Sequence, residues 1–112
     1  MKKKILVIDD EQNAHDHLDK EIGEKYELLH AYTAEEAQKG LETDPNTDAI
    51  IFDGYLEEGN TLGLISWLSG KFSGPMIAAS TSSSMRREQI EAGCTHEIIK
   101  SDINNQKLSE VI

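Results

Sequence analysis

Four short apolar runs stand out along the chain, separated by longer stretches in which polar residues dominate. The runs cover residues 5–8, 49–52, 76–79 and 98–99. The first three are continuous rather than alternating, which is typical of parallel strands whose two faces are both covered. A fifth segment, residues 26–31, is mixed because Glu27 and His30 interrupt it. This pattern predicts three central strands, an edge strand at residues 26–31 and a last strand at residues 98–99.

The stretches between these runs have a helical period. Ala14, Leu18 and Ile22 recur every four residues, so one stripe of a first helix faces a core. Thr33 and Glu36 have the spacing of a capping box that opens a second helix. Three more helices are predicted at residues 64–72, 85–92 and 108–112.

Strands and helices therefore alternate along the whole chain. Such an alternation predicts a parallel sheet with right-handed crossovers and helices on both faces. Five such units in 112 residues fit a flavodoxin-like winding, in which the strand order is 2-1-3-4-5. We expect one α/β domain over residues 1–112, built as a doubly wound five-stranded parallel sheet.

Charge and composition narrow the range of functions. The chain has 11 basic and 21 acidic residues, and its net charge of −10 repels phosphate backbones, so we expect no direct contact with nucleic acid. The single cysteine, Cys94, excludes an internal disulfide and fits a reducing compartment. No apolar stretch approaches the ~20 residues that span a bilayer, and residues 5–8 are too short a run for a signal peptide. We therefore expect a cytoplasmic protein without membrane insertion.

Candidate chemistry follows the ends of the predicted strands. Asp9 and Asp10 come after the first strand, Asp53 after the third, Ser80 after the fourth and Lys100 after the fifth. All strands of a parallel sheet end at the same edge, and ligands bind there beside the point where the strand order reverses. These side chains are therefore expected to share one crevice.

Three carboxylates in one crevice repel one another unless a cation lies between them. A set of oxygen ligands suits Mg²⁺, which is typically held by one or two carboxylates together with a phosphate. A lysine and a hydroxyl beside the metal would stabilise a transferring phosphoryl group. Asp53 is the expected nucleophile, because it alone ends the central strand and an aspartate can form an acyl phosphate. Asp9 and Asp10 are then the pair that holds the metal.

Four segments together resemble the receiver domain of two-component response regulators. They are Val-Ile-Asp-Asp-Glu at residues 7–11, Ile-Phe-Asp at 51–53, Pro-Met-Ile-Ala-Ala-Ser at 75–80, and the stretch 93–100 that ends in Ile-Ile-Lys. The resemblance covers the whole chain, and its landmarks follow the predicted sheet edge in order. It implies a phosphoacceptor switch in a two-component or phosphorelay pathway, in which Asp53 accepts a phosphoryl group from the phosphohistidine of a sensor kinase.

The same resemblance implies how the metal is held. Asp10, Asp53 and the backbone carbonyl of Tyr55 would bind Mg²⁺, whereas Asp9 would act mainly through a metal-bound water. The cofactor implied is therefore Mg²⁺ alone.

Ser80 and Lys100 complete the implied site: the hydroxyl would bond a phosphoryl oxygen and the ammonium would pair with it. The implied partners are a sensor histidine kinase or phosphotransfer protein and a downstream protein target. That target would dock on the face formed by helix four, strand five and helix five. Such a domain is not an enzyme beyond its own self-catalysed phosphorylation and dephosphorylation, and no output domain is expected after the short last helix.

Four positions depart from the pattern of that family. Glu57 and Thr61 stand where it usually has proline and glycine, in a loop that is about two residues longer by its glycine spacing. Ser101 replaces the proline that normally follows the lysine, and Glu97 replaces a switching aromatic. Coupling between a hydroxyl and an aromatic ring cannot operate here unchanged.

These departures keep other functions open. One is a protein-binding module that has the receiver fold and works without phosphorylation. A flavin carrier is a weaker alternative, since Asp9, Asp10 and Glu11 would repel the phosphate of FMN at the place where it binds. An aspartate-nucleophile phosphatase lacks the second carboxylate two residues after Asp53 that would act as acid and base.

The remaining polar candidates have simpler interpretations. His15 and His17 are two residues apart, so they point to different helix faces and are expected on a solvated surface rather than at a metal. Cys94 is expected to be a small packed residue rather than a nucleophile. Arg86 and Arg87 form a minor basic spot that suits a partner contact.

Overall fold

The computed structural model describes residues 2–112, which fold into strands and helices in regular alternation. The strands are β1 (Lys3–Ile8), β2 (Tyr26–Ala31), β3 (Ala49–Phe52), β4 (Tyr55–Leu56), β5 (Gly59–Asn60), β6 (Met76–Ala78) and β7 (His96–Glu97). The helices are α1 (Gln12–Ile22), α2 (Ala34–Thr43), α3 (Leu62–Ser69), α4 (Ser83–Ala92) and α5 (Asn105–Ser109), with a 3₁₀ turn at Lys100–Asp102.

Five of the strands form one sheet in the order β2-β1-β3-β6-β7, and all neighbouring pairs are parallel. The predicted α/β flavodoxin-like winding is confirmed. The remaining two strands, β4 and β5, pair with each other as an antiparallel hairpin that the sequence pattern did not predict. This hairpin lies between β3 and α3, so the extra residues of that loop form a structure of their own.

The last strand begins earlier than predicted. The apolar run at residues 98–99 marks the predicted strand, whereas β7 is formed by His96 and Glu97, which pair with Ile77 and Ala78. The backbone pairing with β6 sets the position of this strand, and the apolar run continues beyond it. The Ile98 N–H still donates to the carbonyl of Ala78 at 3.0 Å.

The central strands bury alternate residues in two separate cores, one on each face of the sheet. The core that includes α1 and α5 contains Ile5, Val7, Leu18, Ile22, Ala49, Ile51, Ile77, Ala79 and Leu108, among others. The opposite core, under α2, α3 and α4, contains Leu6, Ile8, Ala37, Ile50, Phe52, Leu64, Ile65, Leu68, Met76 and Ala78, among others. Because both faces are covered, β1, β3 and β6 need apolar residues at consecutive positions.

Local signals fix the helix ends. Thr33 Oγ1 accepts the Glu36 N–H at 3.1 Å and so caps α2 as predicted. At the end of α4, Gly93 has φ +140°, and a Cβ there would lie 2.6 Å from the Cβ of Ser69. Only glycine fits this C-terminal turn.

No helix within residues 2–112 combines the length and apolar character needed to cross a bilayer.

Candidate functional site

The carboxyl ends of β1 and β3 bring three aspartates together. Asp9, Asp10 and Asp53 each place a carboxylate oxygen within 4.8 Å of the others. Asp9 is buried, Asp10 is exposed and Asp53 is half-buried. The two strands are neighbours at the reversal of strand order, which is why Asp53 faces one crevice with residues 43 and 44 positions before it in sequence.

Lys100 enters this crevice from the strand end at the far side of the sheet. Its Nζ lies 2.5 Å from Asp9 Oδ2 and 3.7 Å from Asp53 Oδ1. The residue opens the 3₁₀ turn Lys100–Asp102 that follows β7, and residues 2–112 contain no cis peptide bond. With Ser101 in place of proline, the lysine still reaches both carboxylates.

The crevice perturbs its own titrating groups. Burial, followed by the negative charge of Asp9, raises the pKa of Asp53 above its ordinary value, although Lys100 and a hydrogen bond from the Gly54 N–H oppose the shift. Burial by itself would lower the pKa of Lys100, but its hydrogen bond to Asp9 and the nearby carboxylates raise that pKa overall. The Lys100 ammonium therefore stays charged. It does not fully offset the burial of Asp53 and the negative charge of Asp9, so a further cation beside Asp53 would be stabilised.

Ser80 lies beside the residue that follows Asp53. Its side chain is buried, and its Oγ accepts the Ser82 N–H at 3.1 Å. A Cβ on Gly54 would lie only 2.7 Å from Ser80 Oγ and 2.7 Å from Met85 Cγ. Glycine at position 54 therefore lets the end of β6 approach the end of β3 closely.

The hairpin β4–β5 forms one wall at the mouth of the crevice. Tyr55, two residues after Asp53, begins β4 and its side chain is 57% exposed. A carboxylate oxygen of Glu58 accepts the backbone N–H of Ala34, in the first turn of α2, at 2.7 Å. Between the hairpin and α2 lies an acidic cleft lined by Asp10, Tyr32, Thr33, Glu57 and Glu58.

His15 is not on a solvated surface, and that prediction is wrong. Its side chain is fully buried, and its Nε2 donates to the Asp9 carbonyl at 2.8 Å. Its other ring nitrogen lies 2.5 Å from the Nδ1 of His30, whose Nε2 lies 3.1 Å from an Asp19 carboxylate oxygen. The spacing of residues 15, 18 and 22 follows a helical stripe and gave a signal for this burial.

Arg86 is not part of an exposed basic spot, so that prediction is also wrong. The guanidinium is buried; its Nε donates to a Glu97 carboxylate oxygen at 3.0 Å and its Nη1 to the Ser80 carbonyl at 2.8 Å. Arg87 remains exposed. Glu97 thus stands at the position of the expected aromatic residue and forms an ion pair with α4. Nothing in the sequence reveals the ion pair between Arg86 and Glu97, because the two residues lie on different elements.

Two further buried polar residues hold the backbone at Asp53. Thr61 Oγ1 donates to the Asp53 carbonyl at 2.7 Å, and Gln89 Nε2 donates to the same oxygen at 3.0 Å. Neither side chain stands out in the sequence, because each follows a run of other polar residues. Cys94 is buried as predicted, and burial raises the pKa of its thiol to about 12, which keeps it unreactive at neutral pH.

The arrangement can bind a hard divalent cation and a phosphoryl group. Three carboxylates within 4.8 Å of one another offer the oxygen ligands that Mg²⁺ prefers. Lys100 adds a fixed positive charge to the same crevice. The residues of the crevice therefore fit Mg²⁺ together with an anion of high charge density.

The comparisons with known proteins identify the fold. No protein-family model and no curated protein sequence matches the chain. Among solved structures, the chain is similar to a two-component response regulator from Clostridium difficile, with a TM-score of 0.83, 21% identity and coverage of 97% of this chain and 91% of that one. The BeF3-activated N-terminal receiver domain of Klebsiella pneumoniae RstA gives a TM-score of 0.83 at 17% identity, over 96% and 94% of the two chains.

A response regulator receiver domain (CheY-like) from Methylobacillus flagellatus aligns over the full length of both chains, with a TM-score of 0.81 and 16% identity. The protein therefore has the fold of response regulator receiver domains, as the resemblance in sequence implied. At these identities the likeness concerns the fold, and the chemistry of the site rests on the residues themselves.

Proposed function

We propose that residues 1–112 form a receiver domain that acts as a phosphoacceptor switch, with Asp53 as the residue that is phosphorylated. The observation that carries the proposal is the cluster of Asp9, Asp10 and Asp53 with Lys100 at one sheet edge. A cluster of this charge and compactness suits phosphoryl transfer, whose transition state carries negative charge on its equatorial oxygens.

The phosphoryl group would come from the phosphohistidine of a sensor kinase or phosphotransfer protein. A carboxylate oxygen of Asp53 attacks phosphorus in line, so that an O–P bond forms while the N–P bond of the donor breaks. The electron pair of that bond stays on the imidazole nitrogen, which takes a proton and leaves as neutral histidine. The product is an acyl phosphate on Asp53.

Asp10, Asp53 and the backbone carbonyl of Tyr55 are proposed to hold Mg²⁺, with Asp9 acting through a metal-bound water. Their oxygen donors and their mutual repulsion fit that ion. When bound, Mg²⁺ supplies neutralisation of the negative charge that these carboxylates and the incoming phosphoryl group bring together.

Lys100 and Ser80 would bind the transferred group. The Lys100 ammonium already contacts Asp53, so it can pair with a phosphoryl oxygen that appears on that carboxylate. The Ser80 hydroxyl lies against Gly54, the residue after Asp53, and is proposed to donate to a second oxygen of the group. The resulting change in affinity for a target protein would arise at the face formed by α4, β7 and α5, where Ile99 is 39% exposed.

Phosphorylation by a small donor tests the proposal. The wild-type protein is incubated with phosphoramidate and Mg²⁺, and its intact mass is followed over time. We expect the mass of one phosphoryl group to be added to the wild type, and none to Asp53→Asn or to wild type without Mg²⁺. Asp16→Asn, which changes an exposed aspartate of α1, is the matched control and should be phosphorylated like the wild type.

The Arg86–Glu97 ion pair favours a second candidate, a receiver-fold module that binds a protein without being phosphorylated, because this pair replaces the expected aromatic residue. Such a module would bind its partner with the same affinity in the presence or absence of Mg²⁺ and phosphodonor, and in Asp53→Asn. An intact mass that never changes in the wild type would reject the phosphoacceptor and leave this candidate.

A further inference from the structure

Two buried polar side chains of α4 reach the ends of two different strands. Arg86 and Gln89 are 8% and 0% exposed, and their spacing of three residues puts them on one helix face. Arg86 donates to the carbonyl of Ser80 at 2.8 Å, and Gln89 donates to the carbonyl of Asp53 at 3.0 Å. One face of α4 therefore holds the backbone of both residues between which a phosphoryl group would lie.

The chemistry of Gln89 fixes which end of its amide faces the site. Its Nε2 lies within 3.4 Å of the Phe52 carbonyl, 3.0 Å of the Asp53 carbonyl and 3.2 Å of Thr61 Oγ1. Carbonyl oxygens only accept hydrogen bonds, so the amide nitrogen must face them. The amide oxygen of Gln89 is then buried with no donor among residues 2–112.

A buried acceptor without a donor lowers stability. The two carbonyls beside Gln89 do not need its nitrogen either: Thr61 Oγ1 donates to Asp53, and the Ala79 N–H donates to Phe52 at 2.9 Å. Satisfying the backbone therefore does not account for a glutamine here. What its nitrogen adds is a direct link between α4 and the backbone of Asp53.

Arg86 is itself held in one orientation. Its Nε is bound by Glu97, which lies on β7 three residues before Lys100. This contact directs the Nη1 of the guanidinium at the Ser80 carbonyl, at the end of β6. The planar guanidinium can make both bonds at once because its donors point in fixed directions.

We propose that Arg86 and Gln89 are positioning residues for phosphoryl transfer to Asp53. By holding the carbonyls of Ser80 and Asp53 from one helix face, they fix the Ser80 hydroxyl and the Asp53 carboxylate relative to each other. This inference rests on the proposed function, and it assigns the task to α4 side chains that touch neither the metal nor the phosphoryl group.

The test compares phosphorylation rates of matched variants at saturating Mg²⁺, with phosphoramidate as donor and intact mass as readout. Gln89→Met keeps the volume and removes the donor, and we expect its maximal rate constant to fall about tenfold, since small misplacements of reacting groups have effects of this size. Half-saturating donor concentrations should change little, because the residue contacts no substrate. Glu88→Met and Arg87→Met, at exposed positions on α4, are the controls and should react like the wild type.

The thermal midpoint separates positioning from folding. Because Gln89→Met removes an unpartnered oxygen, its midpoint should equal or exceed that of the wild type while its rate falls. Arg86→Met should also react more slowly, and Arg86→Lys, which can still donate to Ser80, should recover part of the rate. If Arg86→Met does not fold, Gln89→Met alone decides the question.

The rates and thermal midpoints together distinguish a failure of the positioning role from a failure of the proposed function. A phosphorylated wild type with Gln89→Met and Arg86→Met reacting equally fast would overturn the positioning role and leave the proposed function intact. A slower Gln89→Met whose midpoint falls in parallel would reduce the residue to a structural one and overturn the inference. A wild type that accepts no phosphoryl group would overturn the proposed function, and the inference with it.

Discussion

The properties of the crevice depend on single carboxylates in unequal surroundings. Asp9 is buried and bound by Lys100 and by the Glu11 N–H, which lies 2.9 Å from its Oδ1. Asp53 has a longer contact to Lys100, at 3.7 Å, and a hydrogen bond from the Gly54 N–H, and it faces the charge of Asp9. The negative charge of Asp53 is thus less compensated than that of Asp9, which suits the nucleophile proposed above and lowers stability.

This imbalance predicts a pH dependence of stability. Because the pKa of Asp53 is raised above its ordinary value of 3.8, the folded state binds its proton more tightly than the unfolded chain does. The free energy of unfolding should therefore fall as the pH rises from the ordinary pKa through the raised one. In Mg²⁺-free buffer, Asp53→Asn should have a higher thermal midpoint than the wild type near neutral pH, and the difference should shrink on acidification.

Thermal unfolding at a series of pH values measures this effect. Asp16→Asn, which removes an exposed carboxylate of α1 outside the crevice, is the control variant. An Asp53→Asn protein that is less stable than the wild type at neutral pH would contradict the electrostatic account.

Among the secondary-structure elements, the hairpin β4–β5 and α2 are joined by a hydrogen bond. The Glu58 carboxylate accepts the Ala34 N–H at 2.7 Å, one of the backbone donors that a helix N-terminus leaves unpaired. The carboxylate also lies at the positive end of the helix dipole. The hairpin thereby supplies part of the N-terminal cap of α2, although β3 lies between the two elements in the sequence.

Loss of that contact should affect both elements. Glu58→Ala is expected to lower the free energy of unfolding by about 1 kcal/mol, as for other helix caps. It should also speed hydrogen exchange at the Ala34 amide. Urea unfolding and amide exchange measure the two effects, with Glu57→Ala as control because Glu57 is an exposed neighbour on the same hairpin. Equal exchange rates in both variants would show that the contact does not hold α2.

At the scale of the whole molecule, stability comes from a sheet that is covered on both faces. Ile77 is fully buried in β6, and its neighbours Met76 and Ala78 lie in the opposite core. The sheet therefore links two cores, and a cavity made in one of them weakens a strand that both share. Ion pairs contribute little to the free energy of unfolding, because most of the acidic residues lie on the exposed surface.

A core substitution should thus cost far more than a surface one of the same type. Ile77→Ala is expected to lower the free energy of unfolding by about 2–5 kcal/mol, through lost burial and the cavity that remains. Ile99→Ala, at a position that is 39% exposed, should cost about 0.5 kcal/mol or less. Urea unfolding of both variants provides the measurement, and similar losses would contradict the placement of Ile77 in the core.

The predictable part of the site follows from where the strands end. Asp9, Asp10 and Asp53 come directly after apolar runs, and in a parallel sheet the carboxyl ends of neighbouring strands meet at one edge. The contact of Lys100 with two of them has the same origin. No such rule covers the β4–β5 hairpin, since a short antiparallel pair in a polar loop leaves no apolar pattern.

The sequence alone determined the winding, because covering both faces of a parallel sheet demands continuous apolar strands separated by amphipathic helices. The roles of His15, Arg86 and Gln89 follow instead from how the helices pack on the sheet, and the sequence pattern left these residues on the surface or unremarked. Each is a polar side chain buried against a backbone carbonyl of another element. The carbonyl that each side chain meets depends on how the helix packs against the sheet. Local sequence does not encode that long-range packing.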